Sequence, residues 1–196
     1  MTNNINIILP LLLFESDDDF YYLQILQRKK ENAQLGSNSR VIKNYYIKSK
    51  EELLKKYDEI KTLCDIFNAR AMLRLNKRSF KTVSFKTLVN ISNTMSNGEY
   101  SFINKSYDRA CGLGHNDKNK KWILDVDEEL TPELYNIIEG FTYGVQPNIG
   151  THKIICKMPT KNGWHIITSP FDLSTFHEQF PNIEIHKDNP INLYIK

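Results

Sequence analysis

At 196 residues, 40% of them hydrophobic and 25% charged, the chain is long enough for one domain with a sizeable core, or one domain with a small subdomain. Lys and Arg outnumber Asp and Glu by 26 to 23, and a net charge of +3 is too mild to argue for a polyanionic partner by itself. Cys64, Cys111 and Cys156 are odd in number, far apart and without C-x-x-C spacing, which speaks against a structural zinc site and for reduced thiols in a cytoplasm-like compartment.

The first apolar run, INIILPLLLF from Ile5, has no basic flank before it and no small-residue cleavage site after it. It is too short to span a bilayer and reads as a buried strand or core segment, so no membrane association is expected. The polar stretch RKKENAQLGSNSR (28–40) reads as a mobile loop whose basic ends either meet phosphate or are simply solvated. Ser49 and Glu52 then stand at capping-box spacing. Leu53, Tyr57, Ile60, Leu63, Cys64 and Phe67 recur at helical intervals behind them, which predicts a helix.

From Ala69 the period changes to two. Ala69, Ala71, Leu73 and Leu75 point one way and Arg70, Met72, Arg74 and Asn76 the other, with Lys77 and Arg78 at the exit. This predicts a strand with an outer face carrying two arginines. Residues 94–121 are polar and turn-rich and read as loops around short elements, and a strand is expected over Lys121–Asp127. Thr131, Pro132 and Glu133 supply an N-cap, a first-position proline and an early acid, with Gly140 expected to close a short helix. Strands at about 151–158 and 164–168 flank the turn TKNG. A short helix at about 174–180 and a closing pair of strands within 182–196 complete an α+β or α/β sandwich pattern.

Three places carry candidate chemistry. Asp125 and Asp127 in WILDVDEEL share one face of a strand, with Leu124 and Val126 on the other; carboxylates so placed can hold a hard divalent cation, although a solvated strand end reads from the same residues. In MPTKNGWHIITSPFD, Asn162-Gly163 signals a two-residue hairpin, placing Thr160 and Lys161 at the mouth of the turn and His165 on the return strand. Gly163, two before the histidine, leaves room for a phosphate within reach of His165 and Lys161, against the plainer reading of a surface hairpin. In NIEIHKDNPINLYI, Glu184 and His186 share a strand face opposite Ile183 and Ile185.

In this order the three features resemble the archaeo-eukaryotic primase (primase-polymerase) superfamily, whose hydrophobic-Asp-hydrophobic-Asp, small-x-His and hydrophobic-acid motifs match Leu124-Asp125-Val126-Asp127, Gly163-Trp164-His165 and Ile183-Glu184. The resemblance covers mainly residues 120–196 and implies an α+β fold in which an RRM-like catalytic sheet (120–196) packs with an N-terminal α/β unit (1–119). It implies nucleotidyl transfer with Mg²⁺ or Mn²⁺ held by Asp125, Asp127 and Glu184. His165, with Thr160, Lys161 and Gly163, would meet the phosphates of the incoming nucleotide. Arg70, Arg74 and Arg78 are the candidates for template or primer phosphates; Tyr45, Tyr46 and Trp164 can stack bases or fill the core.

The partners so implied are nucleotides, a DNA or RNA template and replication proteins such as a helicase. A non-catalytic nucleic-acid-binding protein of the same fold and a metal-dependent nuclease are the rival readings. The third acid is usually aspartate in that family, and no zinc-binding insertion or helicase domain is read in these residues, so by this resemblance the chain would be a minimal or divergent member. Its short, Asn- and Lys-rich chain is similar to small phage or mobile-element proteins, which would place it in a host-cell cytoplasm.

Overall fold

The computed structural model describes residues 1–113, 115 and 117–196; Gly114 and Asn116, inside the segment expected to be loop, lie outside the described residues. A short strand, β1 (Thr2–Asn3), leads into a single helical turn, α1 (Ile5–Ile8), and a 3-10 turn at Leu9–Leu11. The first apolar run is therefore core, as expected, but helical rather than extended. Ile5, Ile8 and Leu12 fall at helical spacing and are buried, and Pro10 sits at the start of the 3-10 turn, where its missing N–H leaves no bond unmade.

β2 (Asp19–Gln27) is the strand that sequence periodicity hides. It lies between two partners and is buried along almost its whole length, so its side chains do not alternate in polarity. β3 (Arg40–Ile47) pairs with it antiparallel. Between them residues 28–39 hold a 3-10 turn at Lys29–Glu31, and Asn32 is buried there, so the expected mobile loop is anchored at its centre.

α2 (Lys50–Phe67) begins as its capping pattern predicts. Ser49 Oγ accepts from Glu52 N at 3.1 Å, and the Glu52 carboxylate accepts from Lys48 N at 2.8 Å. It ends on Asn68, whose φ of 46° is left-handed. Leu53, Ile60 and Cys64 are buried against the sheet formed with β4 (Arg70–Arg74). After the short β5 (Arg78–Ser79), α3 (Phe80–Ser96) and α4 (Ser106–Gly112) occupy ground expected to be partly loop. Ser79 caps α3 by accepting from Thr82 N at 3.0 Å.

The second half runs β6 (Trp122–Val126), α5 (Pro132–Gly144), β7 (Ile154–Pro159), β8 (Trp164–Thr168), α6 (Phe176–Gln179), β9 (Glu184–His186) and β10 (Pro190–Ile195). Thr131 caps α5 as predicted, accepting from Leu134 N at 3.2 Å. Gly140 does not close the helix. Phe141 packs edge-on against Phe176 and Phe180, with ring centroids 5.5 and 5.6 Å away, and carries the helix past a glycine that costs it about 1 kcal/mol relative to alanine.

The fold is α+β, with two antiparallel sheets. The first has the order β1-β10-β4-β2-β3, with β5 also on β2; the second has the order β7-β8-β6-β9. One face of the second sheet, Leu124, Val126 and Ile166, packs with Ile138 of α5 and Phe176 of α6. Its other face, Ile123, Met158 and Ile167, joins the core of the first sheet. The closing strands β9 and β10 do not pair with each other: β9 joins β6, whereas β10 crosses back to lie between β1 and β4. The expected division at residue 120 is corrected accordingly, since the last strand belongs to the N-terminal sheet. Among the described residues no helix is long and apolar enough to cross a membrane.

Candidate functional site

The face of the second sheet that meets the first is apolar at Ile123 and Ile167 and turns polar two residues further along β6. There a cleft of about 560 Å³ opens between the sheets. Met72, Arg70 and Asn192 line it from the first sheet, Asp125, His165 and His186 from the second, and Asp127 stands at its exposed end. Residues Arg28, Lys30 and Glu31 close one side and the hairpin residues Thr160, Lys161 and Asn162 another.

Asp125 is the centre of the arrangement. In the ladder it lies directly opposite His165 on β8 and Glu184 on β9, and such cross-strand neighbours project from the same face. His165 Nε2 is 3.4 Å from Asp125 Oδ1, and His186 Nε2 is 3.7 Å from Oδ2. Interaction with His165 outweighs the opposing effect of burial and, helped by His186, holds the Asp125 carboxyl below its usual range. The half-buried acid is thus kept ionised. His165 is itself 8% exposed, and among the described residues its buried Nδ1 has no hydrogen-bond partner.

Glu184 does not line the cleft. Its side chain is 78% exposed and its Oε2 lies 3.4 Å from His186 Nε2, so His186 fills the position beside Asp125 that the motif would assign to the acid. The signal for His186 was its period-two spacing from Glu184 on the same strand face.

Gly163 has a different role from the one its spacing suggests. A Cβ there would lie 2.0 Å from the Val126 carbonyl oxygen and 3.1 Å from Asp127 Cα, so the end of the β6 backbone occupies the space expected for phosphate. The loop has four residues rather than two: Thr160 N donates to Gly163 O at 2.8 Å and Thr160 Oγ1 accepts from Gly163 N at 3.0 Å. Thr160 is engaged in holding the turn.

Lys161 reaches across to Glu31, Nζ to Oε1 2.9 Å. Arg70, almost wholly buried, donates from Nε to Glu31 Oε2 at 3.0 Å and makes a second contact from Nη2 to Oε1. Hydrogen bonding from Arg70 foremost, then from Lys161, draws the Glu31 carboxyl down to about 2 against the cost of burial. Glu31 therefore occupies the cation pair of the cleft as an internal anion. No local pattern marks it, because its partners lie 39 and 130 residues away.

The other two arginines turn elsewhere, and the expected solvated arginine face does not form. Arg78 is buried, donating to both Asp188 oxygens at 3.0 and 2.6 Å and from Nε to the Cys111 carbonyl at 2.9 Å. Arg74 contacts the Asp188 carbonyl and lies 3.5 Å from its carboxylate. The candidate stacking aromatics are packed: Tyr45 donates to Glu59 at 2.8 Å, Tyr46 to Asp108 at 2.7 Å, and Trp164 lies against the second core. Among the described residues Asn192 Oδ1 is buried on the cleft wall without a partner, a feature that no local sequence pattern marks.

As cation ligands, Asp125 and Asp127 fit by chemistry: hard carboxylates two apart on one wall, one of them held ionised. Among the described residues no three His, Cys, Asp or Glu side chains form a ready-made metal group. Compared with family models, with curated proteins and with solved structures, the chain finds no match in any of the three.

Proposed function

We propose that the protein is a metal-dependent nucleotidyltransferase of the primase-polymerase type, adding nucleotides to a nucleic-acid chain. The observation that carries this reading is the row formed by Asp125, His165 and Glu184 on three adjacent strands, with Asp127 next along the cleft wall. Residues from two of the motifs line one cleft, while Glu184 of the third lies opposite Asp125 in the ladder with its side chain in solvent. The order strand-helix-strand-strand-helix-strand with neighbours β7-β8-β6-β9 also supports an RRM-like sheet, since it is the split βαβ arrangement.

In this reading Asp125 and Asp127 hold Mg²⁺ or Mn²⁺, which supplies charge neutralisation at the transferring phosphate. The remaining work falls to the chain itself. His165 and His186 fix the Asp125 carboxylate, and Arg28 and Lys30, which also line the cleft, offer positive charge to a polyphosphate, whereas Lys161 is held by Glu31. A primer 3′-hydroxyl, or that of a first nucleotide, then attacks the α-phosphorus and diphosphate departs, with catalysis supplied chiefly by positioning. Nucleotides and a DNA or RNA template are the partners this requires.

The test is incorporation of nucleotides on primed and unprimed templates with Mg²⁺ or Mn²⁺. Incorporation abolished in Asp125→Ala and in His165→Ala is the expected result; phosphodiester cleavage without incorporation would identify a nuclease instead. The exposed position of Glu184 favours one second reading, a nucleic-acid-binding protein without catalysis. Its signature is strand binding that survives both substitutions with no activity in either metal.

A further inference from the structure

The connection from β9 to β10 separates two concave surfaces. His186 and Asn189 line the cleft described above, while Lys187, Asp188 and Asn189 line a second groove of about 630 Å³ that also includes Arg74, Lys120 and Trp122. The charges in this groove do not cancel. Arg74, Lys120 and Lys187 face a single acid, Asp188, and that carboxylate already receives two hydrogen bonds from the buried Arg78. Arg74 stands 3.5 Å from the same carboxylate and must share it.

Among the described residues Arg74 Nε is buried without an acceptor. A buried guanidinium N–H left unsatisfied is expensive, and the Arg74 side chain that carries it lines the groove. Burial also lowers the Arg74 pKa, in keeping with a poorly compensated cation. The aromatic element is Trp122. Its indole lies on the groove with Lys187 Nζ 5.1 Å from the ring centroid, and both Lys187 and Lys120 are exposed.

An aromatic face beside several cations is what a single strand needs: a surface for a base and charge for the phosphates on either side. We infer that this second groove binds single-stranded nucleic acid, with the phosphodiester backbone on Arg74, Lys120 and Lys187 and a base against Trp122. The inference rests on the proposed function for the identity of the ligand, but its test reads binding and needs no catalysis. Asn189, common to both surfaces, would connect the bound strand to the cleft.

The experiment titrates a fluorescein-labelled 12-nucleotide oligothymidylate into the full chain over a range of salt concentrations. The Lys120→Ala/Lys187→Ala double variant, which alters two exposed side chains, is expected to bind about tenfold more weakly. Its slope of log K against log salt should fall by about 1.4, two single-strand phosphate contacts at about 0.7 each. In a Trp164→Phe background Trp122 is the sole tryptophan, and the oligonucleotide should quench its emission. Wild-type affinity and slope in the double variant would overturn the inference. So would equal quenching by thymidine triphosphate at the same nucleotide concentration, which would assign the groove to free nucleotides. Loss of strand binding in the double variant, together with no incorporation by the wild type, would retain the groove and remove the nucleotidyltransferase reading.

Discussion

Gly163 lacks the one atom for which the fold has no room. Because the obstruction is the Val126 carbonyl, part of a paired strand, it cannot swing aside as a flexible side chain would. Gly163→Ala is therefore expected to cost about 1–3 kcal/mol of overpacking and to lower the thermal midpoint by about 3–10 °C, read by circular dichroism. The glycine-x-histidine spacing was visible in the sequence, but its physical reason was not, since it depends on a backbone 37 positions earlier. Glu31 makes the same point for charge. Its carboxyl falls from an ordinary 4.5 to about 2 in the fold, so its contribution to stability is present above pH 4.5 and is lost as the pH falls toward 2. Glu31→Gln should be less stable than wild type at pH 7, and the gap should narrow as thermal melts are taken down to pH 2–3; a constant gap would count against the Arg70–Glu31–Lys161 arrangement.

At the scale of elements, local patterns mark helix starts better than helix ends, since α5 runs past Gly140 to Gly144. α2 and α5 announce themselves because caps and apolar spacing lie within one or two turns, and β4 and β6 alternate visibly where one face is polar. β2 does not alternate, because neighbours cover both of its faces, and α3 carries Phe85, Leu88 and Val89 exposed, so apolar spacing gives no clean core stripe. β9 shows where a motif and a geometry diverge. Glu184 faces Asp125 across the ladder yet extends into solvent, whereas His186, two residues along, lines the cleft. If the proposed activity holds, His186→Ala should reduce nucleotide incorporation at least tenfold, a general acid–base or positioning magnitude, while Glu184→Ala should remain within about threefold of wild type. Steady-state rates with Mg²⁺ and Mn²⁺ decide between them. Restoration of Mn²⁺-dependent rate by His186→Gln would separate positioning of Asp125 from a purely structural role.

For the whole molecule the decisive strand is β10. Two apolar runs flank a short polar turn in the last 15 residues, a pattern that suggests a closing pair, but the partners of β10 are β1 and β4, far away in sequence. Leu193 is fully buried in the first core, so Leu193→Ala should cost about 2–5 kcal/mol. Trp122 and Trp164 both lie on strands of the second sheet and report its unfolding separately. With the sheets tied through the β9–β10 connection, tryptophan fluorescence and far-ultraviolet circular dichroism should shift together in that variant; separate transitions would show two independent units.

The placement of β10 also bears on how the chain comes off the ribosome. Residues 2–3 and 70–74 are synthesised long before the strand that fills the gap between them, so until residues 190–195 emerge β4 presents a bare hydrogen-bonding edge. The second sheet, by contrast, has all four of its strands by residue 186. The second sheet thus has its full set of strands before the first does, and the cleft between the sheets gains its Asn192 wall only when β10 is in place.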